Sequence, residues 1–279
     1  MSRVAHREFL LSEDERNIFV ALLKRLVAFS GLELLAYCVM SNHFHLLIRL
    51  SNPPAEINEE EVIRRIGLLD GSTSAAATEG EWRRLRSIGA NEAANSELES
   101  YIRRMYDVSE FMKMLKQRLT VGFNYRCEDG HSGTLWEGRF KSVAVESSVK
   151  AMSLVAAYDD LNPVRGGMVL DPAEYKWCSW SAALKGDEVA RKGYRAIYGL
   201  KEESWNTVRE RHQAVMDSRA PELAKSSRSF VEGGAIGSAE FVAAYIRSTF
   251  PENRKNAAPK SLSGGAKVWG ELRVAHEKR

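Results

Sequence analysis

The chain has 279 residues, enough for one large domain or two modest ones. It is 44% hydrophobic and 28% charged, which is the composition of an ordinary soluble globular protein. The net charge of +3 is too small to indicate nucleic-acid binding by itself, so the local distribution of charge matters more.

The three cysteines, Cys38, Cys127 and Cys178, are far apart and form no CxxC pair. We therefore expect neither a disulfide framework nor a structural zinc site, but reduced thiols in the cytoplasm. The N-terminal stretch MSRVAHREF lacks the apolar core of a signal peptide, and no apolar run is long enough to span a bilayer. The expected location is cytoplasmic, with no membrane partner.

The N-terminal part of the chain alternates strand and helix signals. Residues 3–11 read as the end of a strand, and Ser12 with Glu15 forms a capping-box pattern at the start of a helix that Gly31 ends. Two apolar runs, 34–40 and 43–50, are separated by the turn residues Ser41-Asn42. This spacing predicts a β-hairpin.

Residues 51–108 are less regular, and GSTSAAATEG at 71–80 reads as a linker between short polar helices. Further on, the patterns predict a helix at 109–125, a strand at 139–145 and a helix at 149–161 that ends before Pro163. This order predicts an α+β fold, an antiparallel sheet with helices on one face. Beyond residue 186 we expect helices at 201–218 and 239–249 and a basic tail.

Two histidines occupy alternate positions at the start of the second hairpin strand, in SNHFHLLIRL. His43 and His45 should point to one face and Phe44 to the other. Two imidazoles side by side on a strand can share a divalent cation. For an arbitrary His-x-His pattern, two half-buried histidines bonded to neighbours are the more common explanation.

Three segments taken together favour the metal-site explanation for the two histidines: AYCVMSNHFHLLIRL (36–50), GTLWEGRFKSVAVES (133–147) and YDDLNPVRGGMVLDPAEYKWCSW (158–180). In this order they resemble the REP-associated tyrosine transposases, single-tyrosine members of the HUH superfamily of single-strand DNA endonucleases. The resemblance covers most of residues 3–180, and IGSAEFVAAY (236–245) looks similar too. It implies a ferredoxin-like catalytic domain at 1–185, with an insertion at about 51–108, and a helical accessory region at 186–279.

The resemblance also implies a reaction. A tyrosine hydroxyl attacks a DNA phosphodiester, leaving a 5′-phosphotyrosine link and a free 3′-hydroxyl, and a second 3′-hydroxyl can reverse the step. By its place in the motif, Tyr158 is the nucleophile; the alternative is a core tyrosine in the stripe with Leu154 and Leu161. His43, His45 and Asn162 match the ligands of a divalent metal, Mg²⁺ or Mn²⁺. The alternative for Asn162 is a helix-ending residue bonded to its own backbone.

Other residues are candidates for contact with single-stranded or hairpin DNA, the substrate that the resemblance implies. Aromatic residues are interleaved with basic ones along the helix around 111–127, a pattern suited to phosphates and unpaired bases that a solvated helix face also explains. Outside this helix, Trp136 is as well explained by core packing. The tail RKNAAPKSLSGGAK (254–267) could add affinity or be disordered. The basic candidates are Lys113, Lys116, Arg118, Arg126, Arg139 and Arg165.

The sequence departs from the family in two respects: the 51–108 region is longer than in minimal members, and only a short stretch precedes Ser12 where relatives have a full first strand. We expect a weakened sheet there. The main alternative is therefore a domesticated hairpin-binding protein that no longer cuts; a weaker one is a metal site in an unrelated hydrolase. On chemistry alone Tyr106, Tyr125 and Tyr175 are rival nucleophiles. Relatives include monomers and homodimers, so the oligomeric state stays open.

Overall fold

The computed structural model describes residues 1–127, 133–200, 204–225, 230–231, 233–250, 258–262 and 271–276. The chain is a mixed α+β protein with two small sheets, which confirms the predicted class. Its residues form two compact units. The first comprises Met1–Leu10, Leu35–Leu47 and Glu137–Arg279, and the second comprises Leu11–Leu34 and Ile48–Trp136.

The first sheet contains the predicted hairpin. Its strands, in the spatial order β1-β3-β2, are β1 (Ser2–Arg3), β2 (Glu33–Val39) and β3 (His43–Arg49). At the turn, the Met40 amide donates to the His43 carbonyl at 2.8 Å. Along the other edge of β3, Ser2 lies opposite Phe44 and Arg3 opposite His43 in an antiparallel pair. The predicted strands at 34–40 and 43–50 are confirmed to within a residue or so.

The predicted strand at 139–145 is only partly present. Just β4 (Ala144–Val145) is a strand, and it belongs to the second sheet. Residues 137–141 instead bond to the start of the chain: the Glu137 amide donates to the Arg3 carbonyl at 2.9 Å, and Met1 and Lys141 exchange two bonds of 2.8 and 2.9 Å. These pairings are out of step with each other, so no regular ladder forms.

Helix α1 (Glu13–Ser30) begins and ends where predicted. The Ser12 hydroxyl accepts from the Glu15 amide at 3.3 Å, and Gly31 adopts a left-handed φ of 70°. A Cβ on Gly31 would lie 2.6 Å from Nη1 of Arg65 and from the Tyr106 ring, so glycine is required twice over. The Glu15 carboxylate bonds Arg126 instead of closing the capping box.

The prediction of a linker at 71–80 is wrong. This stretch lies within a run of four helices: α2 (Glu59–Asp70), α3 (Ser72–Ser87), α4 (Asn91–Ile102) and α5 (Val108–Arg126). Gly71, at φ 90°, separates the first two, and the alanines that follow are strong helix formers. Ala75 and Trp82 are buried, and the Trp82 indole N–H donates to Glu97 at 3.0 Å. Tertiary burial therefore makes a helix of a sequence that reads as polar and flexible.

From Val149 onward, the described residues form six α-helices and the remaining three strands of the second sheet. The helices are α6 (Val149–Asp160), α7 (Asn162–Arg165), α8 (Ser179–Leu184), α9 (Glu188–Tyr198), α10 (Trp205–Lys225) and α11 (Ala239–Thr249). The second sheet has the order β4-β5-β7-β6, with β5 (Gly233–Gly237), β6 (Lys260–Ser261) and β7 (Arg273–His276). Most of the basic tail at 254–267 lies outside the described residues. Among the described helices, none has the length and apolar character needed to cross a bilayer.

Glu146 links the carboxyl ends of β4 and β5, two neighbouring parallel strands of the second sheet. Its carboxylate accepts from the Ser238 amide at 3.0 Å and the Ser238 hydroxyl at 2.7 Å, and from the Ser148 hydroxyl at 3.1 Å. Ser238 caps α11, and Ser148 caps α6. One carboxylate therefore ties together the starts of two helices that are distant in sequence.

Candidate active site

The two histidines of β3 share one face, as predicted. The ring centroids of His43 and His45 are 5.2 Å apart. Phe44, the residue between them in the sequence, is fully buried. The Asn42 amide oxygen accepts a hydrogen bond of 2.7 Å from Nδ1 of His43. Since an amide oxygen only accepts, that nitrogen carries the proton and the Nε2 lone pair is available for a cation.

Both imidazoles are neutral at neutral pH. Burial lowers the pKa of His43 to about 4, with further lowering by the charges of Arg3 and Arg165. Burial also lowers the pKa of His45 well below its ordinary value, and the neighbouring His43 acts in the same direction. Neutral imidazoles are the form that binds metal ions, so this pair is ready to do so without losing protons.

Tyr158 lies on α6 against the histidine pair. Its side chain is 2% exposed, and its ring centroid is 5.6 Å from that of His45. Phe230 stacks on the phenol at 4.6 Å, and the Arg165 guanidinium carbon lies 3.9 Å from the ring centroid. Burial raises the pKa of Tyr158, while the positive charge of Arg165 opposes that rise. The structure therefore brings together a phenol, an imidazole and a guanidinium.

Asn162 makes the hydrogen bonds expected of a helix-ending residue that bonds to the backbone of the helix it ends. Its amide nitrogen donates to the carbonyls of Tyr158 and Asp159 at 3.2 Å each, and its amide oxygen accepts from Arg165. A metal at this oxygen would have to replace the guanidinium. Nη1 of Arg165 is buried and has no hydrogen bond of normal geometry to any described residue.

The described residues contain no group of three or more His, Cys, Asp or Glu side chains placed to hold a metal ion. The predicted set of His43, His45 and Asn162 has only two members of those types. The neutral imidazole pair fits a divalent cation, and the amide oxygen fits once it exchanges its partner.

The basic residues predicted on α5 all have intramolecular partners within their unit. Lys113 pairs with Glu110 at 3.2 Å, Arg118 with Asp70 at 2.5 Å and Arg126 with Glu15 at 2.7 Å. Lys116 lies over the Trp136 ring, with 5.6 Å to the centroid. Phosphate contact by these side chains would therefore compete with existing partners, and their DNA-binding role stays a prediction.

The two remaining predicted residues of the WEGRF segment differ in exposure. Arg139 is exposed, as a phosphate contact requires, and its role stays a prediction. Trp136 is 4% exposed, and its indole N–H donates to the Lys116 carbonyl at 3.2 Å. The core-packing alternative describes Trp136 well.

The rival tyrosines have other surroundings. Tyr106 accepts from Arg65 at 2.7 Å, and the Tyr175 hydroxyl donates to the Val39 carbonyl at 2.9 Å. Tyr125 is 91% exposed.

Sequence reasoning missed Asp159, Asp160 and Phe230. Nδ1 of His45 is 3.4 Å from a carboxylate oxygen of Asp159, and burial raises the pKa of that carboxyl well above its usual range. The signal was available for the two aspartates, because residues 151–158 read as a mostly apolar helix and this acidic pair follows directly. For Phe230 there was no such signal, since nothing in its local pattern points to Tyr158.

Comparison of the chain with protein-family models, with curated proteins and with solved structures found no match.

Proposed function

We propose that the protein is a metal-dependent single-strand DNA endonuclease and strand transferase, a REP-associated tyrosine transposase that acts on hairpin-forming DNA. One observation carries the proposal: the Tyr158 ring lies 5.6 Å from the His45 ring and 3.9 Å from the Arg165 guanidinium carbon. A nucleophile, a metal-ligating imidazole and a phosphate-binding cation are the three groups that phosphodiester transfer needs.

The roles follow from the chemistry of each side chain. The Tyr158 hydroxyl loses its proton as its oxygen bonds to the scissile phosphorus, the bond from phosphorus to the 3′-oxygen breaks, and the departing 3′-oxygen takes up one proton to become the 3′-hydroxyl. A cation held by His43, His45 and the Asn162 oxygen would polarise the phosphate. Arg165, on leaving that oxygen, is free to bind the phosphate through its buried Nη1 and to stabilise the phenolate.

The fold is consistent with this proposal. We include in it a ferredoxin-like core, in which residues 137–141 serve as the fourth strand beside β1 through their backbone bonds to residues 1–3. Helices α9, α10 and α11 would belong to the helical accessory region at 186–279.

A second candidate is a hairpin-binding protein that no longer cuts. It is favoured by the burial of the Tyr158 phenol, which is 2% exposed and stacked on Phe230. A phosphate can reach that hydroxyl only after the ring or its cover moves.

The test is a denaturing gel with 3′-labelled single-stranded hairpins from intergenic repeats of the encoding genome. The 5′-phosphotyrosine product keeps the 3′ segment, so a labelled band at protein mass is expected with Mn²⁺, lost with chelator and absent in Tyr158→Phe. Tyr125→Phe, an exposed tyrosine, is the matched control and should keep the band. A gel shift without any adduct would support the second candidate, and neither adduct nor shift would overturn both.

A further inference from the structure

A buried carboxylate anchors the end of the helix that carries Tyr158. Asp160 is fully buried at the last position of α6, and its two oxygens accept hydrogen bonds from α8, α9 and α10. One oxygen accepts from the Cys178 thiol at 2.9 Å and, more weakly, from Ser179 at 3.4 Å. The other accepts from the Tyr194 hydroxyl at 2.7 Å and Nε2 of His212 at 2.8 Å.

The partners of Asp160 are themselves fixed. The Tyr198 hydroxyl bonds Nδ1 of His212 at 3.0 Å, which sets the imidazole with its Nε2 proton toward the carboxylate. Ser179 bonds the Tyr194 hydroxyl at 3.0 Å and accepts from the Tyr37 amide of β2 at 3.0 Å. The carboxylate therefore sits in a connected network of buried hydrogen bonds, in which the single Ser179 proton lies between the Tyr194 oxygen and the carboxylate.

The geometry of α6 links this network to Tyr158. Residues two apart on an α-helix point in nearly opposite directions, so Asp160 faces α8, α9 and α10 while Tyr158 faces His45 and Arg165. Rotation or fraying of this last turn would move the phenol, and the network on the opposite side resists such motion.

From this we infer that Asp160, His212 and Tyr194 are positioning residues, which hold the nucleophile's helix in register for attack. The catalytic part of this inference rests on the proposed function. The anchoring part does not, because the order of α6 can be measured without DNA. Misplacement of a reacting group by about 1 Å can cost on the order of a hundredfold in rate, so loss of the anchor should reduce turnover more than binding.

The experiment compares Tyr194→Phe with Tyr175→Phe, two variants that each lose one buried, hydrogen-bonded tyrosine hydroxyl group. Asp160→Asn, His212→Leu and His212→Gln complete the set; glutamine keeps an N–H donor near the position of Nε2. Amide hydrogen exchange is followed in α6, with α5 as the internal reference. We expect protection of α6 to fall about tenfold or more in Tyr194→Phe, Asp160→Asn and His212→Leu, but not in Tyr175→Phe or His212→Gln.

The second readout is adduct formation under single-turnover conditions with saturating hairpin DNA and Mn²⁺. We expect the rate to fall about tenfold or more in the anchor variants while the DNA Kd changes less than about threefold, and His212→Gln to restore the rate. Unchanged α6 protection would overturn the anchoring, and unchanged rates despite lost protection would overturn the positioning role.

The two proposals fail in different ways. If the wild-type chain forms no adduct, the proposed function fails while hydrogen exchange still decides the anchor. If Asp160→Asn does not fold, the Tyr194→Phe and Tyr175→Phe pair decides instead, since each removes a single oxygen atom.

Discussion

The lowered pKa of His43 predicts that the protein loses stability as the pH falls below neutrality. In the unfolded chain this imidazole titrates near the ordinary histidine pKa of 6.5, whereas in the folded protein burial lowers its pKa to about 4. The unfolded state therefore binds the proton first, so this stability is complete above pH 6.5 and is lost as the pH falls toward 4.

The size of the effect follows from the two values. At about 1.4 kcal/mol per pKa unit, the lowering from 6.5 to about 4 corresponds to about 3.5 kcal/mol over the whole range. Between pH 7.5 and pH 4.5 the loss should be about 2.5 kcal/mol. Below about pH 3, where the imidazole is protonated in both states, the contribution of His43 should no longer change.

The assay is urea unfolding with chelator present, at half-unit pH steps, for the wild-type chain and His43→Gln. The variant cannot titrate at this position, so the difference between the two curves should shrink or reverse by about 2.5 kcal/mol as the pH falls to 4.5. His6→Asn removes an exposed histidine and should parallel the wild type. Parallel curves for wild type and His43→Gln would show that the burial described for His43 is incorrect.

Three further predictions concern other parts of the chain. Gly31→Ala should destabilise the protein by about 2 kcal/mol or more in urea unfolding, and Gly199→Ala by only about 1 kcal/mol, because both have left-handed φ but only the first lacks space for a Cβ. Arg139→Ala should make the plot of log association constant for hairpin DNA against log salt concentration less steep by about one. Arg118→Ala should change it by less, because the Arg118 guanidinium is already paired with Asp70. Glu146→Ala should lower the free energy of unfolding by about 1–2 kcal/mol, since it leaves three donors without their carboxylate; an unchanged midpoint would contradict this.

Local patterns were enough to place the hairpin and the helices that flank it. Alternation along 34–50 fixed the common face of His43 and His45, and Ser12 and Gly31 marked the ends of α1. The segment 71–80 was misjudged because the burial of Ala75 and Trp82 depends on helices distant in sequence, which no local window contains.

Part of the candidate site could be predicted, because it depends on local strand alternation. The face of His43 and His45 follows from strand alternation, while the proximity of Tyr158 was expected through the family resemblance alone. The bond from Arg165 to Asn162 was not foreseen, because a side chain's choice between phosphate and a neighbouring amide depends on three-dimensional distance. The partners of Asp160 escaped notice for that reason too, since they lie up to 52 residues away.

That separation has a consequence for the order in which the molecule is completed. His212 follows Asp160 by 52 residues, which at about 5–20 residues per second takes the ribosome roughly 3–10 seconds to add. Helix formation takes microseconds, so synthesis rather than folding of α6 sets the time at which the Asp160 carboxylate can meet its last partner. Helix α6 is therefore made before the last partner that anchors it, and the hydrogen bonds around Asp160 can be completed only after residue 212 has been added.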